Sequence, residues 1–192
     1  VCAVHPSTGA RTNECLPGEE GRIGANNNDV RVDFVVRVPA GVDFSARTTN
    51  GEVNIGGLSA NVTARSTNGD VLVDGGETVI ARTTNGSITL RSSGYASASS
   101  TNGSIEASLQ NLGDGSEPIS FSTTNGTITL RLPASTNATL DVRTSNGRIE
   151  SELPILTQGT LSRNRLEGTI GSGGRLIEVR TTNGRVHLER GS

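Results

Sequence analysis

The chain has 192 residues, 32% hydrophobic but only 2% aromatic, with 25 glycines and a formal net charge of −2. The length suits one sizeable domain, and so little aromatic bulk excludes a conventional sandwich core filled by large side chains. Its 17 basic residues are all Arg and are interspersed with 19 acids, which leaves no polybasic footprint for nucleic acid or anionic membrane.

Residues 1–30 are rich in Gly, Pro and Asn and predict an irregular N-terminal cap. They hold both cysteines, Cys2 and Cys15. A bridge between them closes a short loop and contributes on the order of 3 kcal/mol by the chain-entropy argument. Zinc would need more ligands than His5 supplies, so a disulfide and an oxidising compartment are expected. A chain that starts at Val1 reads as a processed product, secreted after loss of a signal peptide. No apolar run approaches the roughly 18–20 residues of a spanning helix.

From residue 31 onward one phrase recurs. It stands as Arg47-Thr48-Thr49-Asn50-Gly51, Arg65-Ser66-Thr67-Asn68-Gly69, Arg82-Thr83-Thr84-Asn85-Gly86 and Ser99-Ser100-Thr101-Asn102-Gly103. Ser122-Thr123-Thr124-Asn125-Gly126, Arg143-Thr144-Ser145-Asn146-Gly147 and Arg180-Thr181-Thr182-Asn183-Gly184 complete the set. The Asn positions are 18, 17, 17, 23, 21 and 37 residues apart. The long last gap predicts a degenerate copy at Glu167-Gly168-Thr169-Ile170. Loops fall at Gln110 to Glu117 and Pro133 to Asn137, and 152–174 reads as an insertion before the last repeat.

Around each corner apolar residues alternate, as in Ile119-x-Phe121-x-Thr123-x-Asn125-Gly126-x-Ile128-x-Leu130. Period two predicts half-buried strands, with the first hydroxyl residue and the Asn turned inward, and Arg and the second Thr outward. Asn-Gly between such runs is also a hairpin signal. Hairpins, however, do not require Thr or Ser two residues before every Asn-Gly. Parallel stacking at about 4.8 Å does place like on like, so that Asn50, Asn68, Asn85, Asn102, Asn125, Asn146 and Asn183 form a hydrogen-bonded structural ladder. Gly supplies the left-handed backbone of a sharp corner. The expected fold is all-β: a parallel β-helix or β-solenoid of about eight short rungs over 31–192, on the order of 40 Å long.

These residues carry a resemblance. The repeated Thr-x-Asn-Gly-x-Ile/Val and the stretch from Gly168 to Val186 resemble a bacterial adhesin family of β-strand repeat domains, relatives of autotransporter-adhesin head domains. The resemblance covers about 40–190 and implies a secreted or surface-exposed parallel β-helix without established catalytic residues.

No catalytic constellation stands out. His5 and His187 lack flanking motifs, and no Ser/His/Asp or paired-carboxylate pattern is present. Asp70, Asp74, Glu77, Asp114 and Glu117 lack a calcium-loop phrase and read as exposed loop acids. Neither cofactor nor metal is expected. Asn85-Gly86-Ser87 and its equivalents match a glycosylation sequon, but an inward Asn makes the match accidental. The candidate binding face is the outward stripe Arg47, Arg65, Arg82, Arg143 and Arg180, flanked by Thr49, Thr67, Thr84, Thr101, Thr124 and Thr182.

Three functions differ in class. The first is a non-enzymatic secreted or cell-surface structural protein that displays a face or self-associates head to tail into an extracellular filament. The second is a polysaccharide-binding module. The third, a polysaccharide-cleaving enzyme, rests on fold analogy.

Overall fold

The computed structural model describes residues 32–157 and 162–191. The chain divides into two units, 1–37 and 38–192. In the first, residues 32–37 are exposed and belong to no regular element. The expected cap over 1–30 and the Cys2–Cys15 bridge lie outside the described residues. Val32 to Val38 hold a strand-like alternation, yet the first described strand starts only at Phe44.

Among its described residues the second unit contains sixteen strands and no helix. Fourteen of them form pairs astride Asn-Gly corners: β1 (Phe44–Arg47) with β2 (Val53–Leu58), β3 (Val62–Arg65) with β4 (Val71–Gly75), and β5 (Thr78–Arg82) with β6 (Ile88–Ser92). Then come β7 (Tyr95–Asn102) with β8 (Ile105–Leu109), β9 (Ile119–Asn125) with β10 (Ile128–Leu132), and β11 (Ala138–Asn146) with β12 (Ile149–Ser151). β13 (Ile155–Thr157) and β14 (Arg165–Ile170) follow, and a seventh corner pair, β15 (Arg175–Asn183) and β16 (Val186–Arg190), ends the series. First members of the pairs, with β13 and β14, make a nine-stranded sheet; second members make a seven-stranded one. Alternate residues such as Ile119, Phe121, Ile128 and Leu130 enter a core of Val, Ile, Leu and Ala, in which Phe121 is the largest fully buried side chain. Two thin layers of small apolar side chains fill the space that aromatics would overfill.

The rungs do not stack in chain order. The nine-stranded sheet runs β1-β3-β5-β7-β9-β15-β11-β14-β13, and the seven-stranded one β12-β16-β10-β8-β6-β4-β2. The last repeat is therefore inserted between the fifth and the sixth, parallel to both. Seven rungs form rather than about eight. Glu167 to Ile170, expected as a degenerate rung, lies in β14, which pairs antiparallel with β11 and β13. That segment has no Asn-Gly corner, so it cannot bend into the second sheet. Instead, β13 and β14 add to the nine-stranded sheet by antiparallel pairing. Arg175 secures the inserted rung: its guanidinium donates to the carbonyls of Leu112 and Glu117 in the β8–β9 connection.

From the second corner onward, each corner is held by three contacts. On the outside, the Asn68 amide donates to Asn50 Oδ1 at 2.8 Å, and the series continues through Asn85, Asn102, Asn125, Asn183 and Asn146 at 2.7–2.9 Å. These side chains are exposed, not inward as alternation predicts. The second Thr or Ser and the Asn after it are both exposed, so the in–out parity ends there. The amide then meets the amides above and below, and the inner space goes to the hydroxyl two residues earlier. Ser66, Thr83, Ser100, Thr123, Thr181 and Thr144 are buried, and each donates to the Gly carbonyl of the preceding rung at 2.9–3.1 Å.

The third contact explains the invariable Gly more fully than backbone handedness does. Gly126, Gly147 and Gly184 have no positive φ, whereas Gly51 does, at 139°. A Cβ added to any corner glycine from Gly69 onward would lie 1.8–2.3 Å from the carbonyl oxygen of the glycine one rung below. Rung contact, rather than turn type, excludes a side chain there.

Gly126→Ala is expected to destabilise the fold by at least about 3 kcal/mol, because the overlap is with backbone and cannot relax by a rotamer change. Gly51→Ala, where the nearest neighbour is Thr48 Oγ1 at 3.6 Å, meets no overlap and should cost less, only the backbone strain of its φ of 139°, about 1–3 kcal/mol; urea denaturation of both variants provides the comparison. Deleting 175–191 removes an interior rung and should abolish cooperative unfolding, whereas loss of a terminal rung from a simply ordered stack would leave a shorter folded one.

Candidate functional site

The register of the nine-stranded sheet aligns Arg47, Arg65, Arg82, Ser99, Ser122, Arg180, Arg143 and Arg165 in one outward row. All five predicted arginines belong to it, and β14 adds Arg165. The next outward row reads Ser45, Thr63, Ile80, Ser97, Ser120, Glu178, Asp141 and Glu167. The stripe expected as one face thus has two unlike halves. Beside Arg65 and Arg82 the neighbouring row carries no acid, and neither makes an ion pair among the described residues. Beside Arg180, Arg143 and Arg165 it carries three.

In that second half, Arg143 Nε lies 2.7 Å from Asp141 and its Nη2 3.1 Å from Glu167. Arg180 Nη2 is 3.5 Å from both Asp141 and Glu178, and Arg165 Nε donates to Glu167 at 3.0 Å. Three guanidiniums are balanced by three carboxylates. Asp141 is the most enclosed partner, its side chain 17% exposed. Hydrogen bonding to Asp141, then its charge, holds the Arg143 pKa above its ordinary value. The hydrogen bond from Arg165 is the largest influence on Glu167 and lowers its pKa; partial desolvation opposes this, and the charges of Arg165 and Arg143 reinforce it.

These arginines line a groove of about 710 Å³ between the strand face and residues 162–165. Ser99, Thr101, Ser122, Thr124, Ser145, Ser162 and Thr182 supply hydroxyls, and Asn164 an amide. Each guanidinium has five N–H donors, and the ion pairs leave several of them for a ligand. The groove is a hydrogen-bonding surface of fixed planar groups with little net charge. Arg165, Ser162 and Asn164 are not legible as site residues because they fall in the stretch that reads as an insertion. The available signal is the outward Arg165-x-Glu167-x-Thr169 opposite inward Leu166, Gly168 and Ile170.

Elsewhere, Thr49, Thr67, Thr84, Thr101, Thr124 and Thr182 are exposed along the corners. The sequon Asn85 is exposed too, so the expected inward placement does not hold; its amide nitrogen is occupied by the bond to Asn68. Among the described residues no three His, Cys, Asp or Glu side chains gather as metal ligands. His187 pairs with Glu150 at 3.1 Å. A second groove, about 520 Å³, contains Glu77, Asp114, Glu117 and Tyr95, with the Arg175 guanidinium 5.1 Å from the Tyr95 ring centre. No helix of the described residues is long and apolar enough to cross a membrane.

Two sheets of mainly parallel strands, joined rung by rung at Asn-Gly corners, define a β-solenoid-like repeat domain. The protein belongs to the Toastrack DUF4097 family, whose model matches residues 23–189. This agrees with the β-repeat architecture that the sequence implies and assigns no adhesive activity. Comparison with curated proteins and with solved structures gives no match.

Because the Glu167 pKa is lowered, its ion pairs are complete above the ordinary carboxylate value of about 4.3 and are lost as pH falls through the depressed value. The wall formed by β14 should therefore be unchanged from neutral pH down to about 5 and loosen only below the ordinary carboxylate range. Carboxyl-carbon NMR of Glu167 checks this; a titration midpoint at or above the ordinary value would contradict it.

Proposed function

We propose that the protein is a non-enzymatic, secreted or cell-surface display module that binds an acidic extracellular polysaccharide on the outer face of its nine-stranded sheet. The observation that carries this reading is the groove in which Arg143, Arg165 and Arg180 are oriented by Asp141, Glu178 and Glu167 among flanking hydroxyls. Planar donors and acceptors held by one another lose little freedom on binding and match the vicinal hydroxyls and carboxylates of a uronate or sulfated glycan. Arg65 and Arg82 extend the same row without neutralising neighbours and supply the attraction for negative charge. The ligand would lie across the strands, following the row.

Head-to-tail self-assembly has less support. At the β13 pole the nine-stranded sheet ends in antiparallel pairing, and a parallel rung of a second copy has only the three-residue β12 to extend.

Binding to alginate and to a sulfated glycan, followed by calorimetry, tests the proposal. Arg180→Gln should weaken binding about tenfold or more through loss of charge-assisted hydrogen bonds, and Arg65→Gln with Arg82→Gln should reduce its salt dependence. Binding indifferent to all three changes, with melting temperatures unaltered, would remove this face from consideration.

A further inference from the structure

We propose that Asn146–Gly147 is a site of spontaneous covalent modification, closing to a succinimide and opening to aspartate and isoaspartate. Asn-Gly is the dipeptide best suited to this chemistry, since glycine carries no side chain to hinder its own nitrogen. The protein has seven such corners in one structural setting, so their differences can be compared directly.

Six of them are tied at the nucleophile. The N–H groups of Gly51, Gly69, Gly86, Gly103, Gly126 and Gly184 donate to the Asn carbonyl of the next rung at 2.8–3.1 Å. Gly147 belongs to the last rung of the stack, and its N–H makes no hydrogen bond among the described residues. The side chain that must swing onto that nitrogen differs in the same direction. Each interior Asn amide is held by two ladder bonds, one donated and one accepted, whereas Asn146 is held by one, its donation to Asn183, and its own Oδ1 receives no donor among the described residues. Both residues are exposed to water. At the opposite end Asn50 also has an incomplete amide, but Gly51 N–H remains bonded to Asn68. Of the seven corners, this one alone combines a glycine N–H without a hydrogen bond among the described residues with an Asn side chain held by a single ladder bond.

The reaction balances with solvent alone. Gly147 N gives up its proton to water or buffer base and attacks Asn146 Cγ. A new bond forms between Cγ and Gly147 N as the bond between Cγ and Nδ2 breaks, and Nδ2 leaves as ammonia. Water then adds to either imide carbonyl, giving aspartate or, through the backbone carbonyl, isoaspartate. Either product places a carboxylate next to Ser145 at the rim of the groove. Isoaspartate also lengthens the backbone at that corner by one atom, so Gly147 can no longer keep its register on Gly184.

The test is peptide mass mapping with an isoaspartate-specific methyl-transfer assay on the full-length protein, incubated folded and in urea at mildly alkaline pH. In urea all seven corners should convert at similar rates. In the folded protein Asn146 should convert at least about tenfold faster than Asn68, Asn85, Asn102, Asn125 or Asn183, because those need local opening first. Asn146→Gln should remove most of the isoaspartate formed by the folded protein. A rate at Asn146 no greater than at the interior corners, earlier conversion of Asn50, or undiminished isoaspartate in the Gln variant would overturn the proposal.

Discussion

Stacking peptide directly on peptide at about 4.8 Å leaves the inside of a corner almost no room, and the rest of this structure follows from how that shortage is met. The glycine carbonyl of one rung occupies the volume that a Cβ of the next would need. That oxygen faces the interior and requires a donor. The Ser or Thr hydroxyl two residues before each Asn supplies it from within the core, and the Asn amide on the outside locks the same register a second time. Once the corner is specified this closely, flanking strands need only alternate. Ala, Val, Ile and Leu suffice for the interior.

The recurrence of Ser66, Thr83, Ser100, Thr123, Thr144 and Thr181 is legible as stacking, because no hairpin demands a hydroxyl at that place. The outward turn of the Asn side chains is not, since strict alternation fails between the second Thr or Ser and the Asn, both of which are exposed. Rung order is not legible at all. Asn183 fits on Asn125 as well as Asn146 would, because identical corners are interchangeable by construction. What selects the order is where the connections lead, and the fold-back of β13 and β14 and the grip of Arg175 on the β8–β9 connection are long-range facts. For the same reason the groove is half visible. Arg143 and Arg180 stand out in the repeat, whereas Arg165 and Glu167 enter the site through an antiparallel strand that breaks it.

The division of the arginine row has a physical meaning of its own. Asp141, Glu178 and Glu167 lie beside one half and convert loose cations into a rigid, nearly neutral lattice of donors and acceptors. Thr63 and Ile80 accompany Arg65 and Arg82 and leave the charge of these two available over longer range. Attraction and geometric fit are thereby assigned to different rungs of one sheet. Screening by salt would weaken the first more than the second.

The inserted rung also changes how the molecule meets a pull. A stack assembled in chain order frays from its last repeat, each rung peeling off against a single neighbour like a strip of tape. Here tension on the C-terminal end acts on β15 and β16, which are bonded on both sides, to β9 and β10 and to β11 and β12. Two interfaces must then shear together before any rung comes free. In the display role proposed above, that arrangement makes this stretch of the protein a mechanical anchor rather than the first place to unravel.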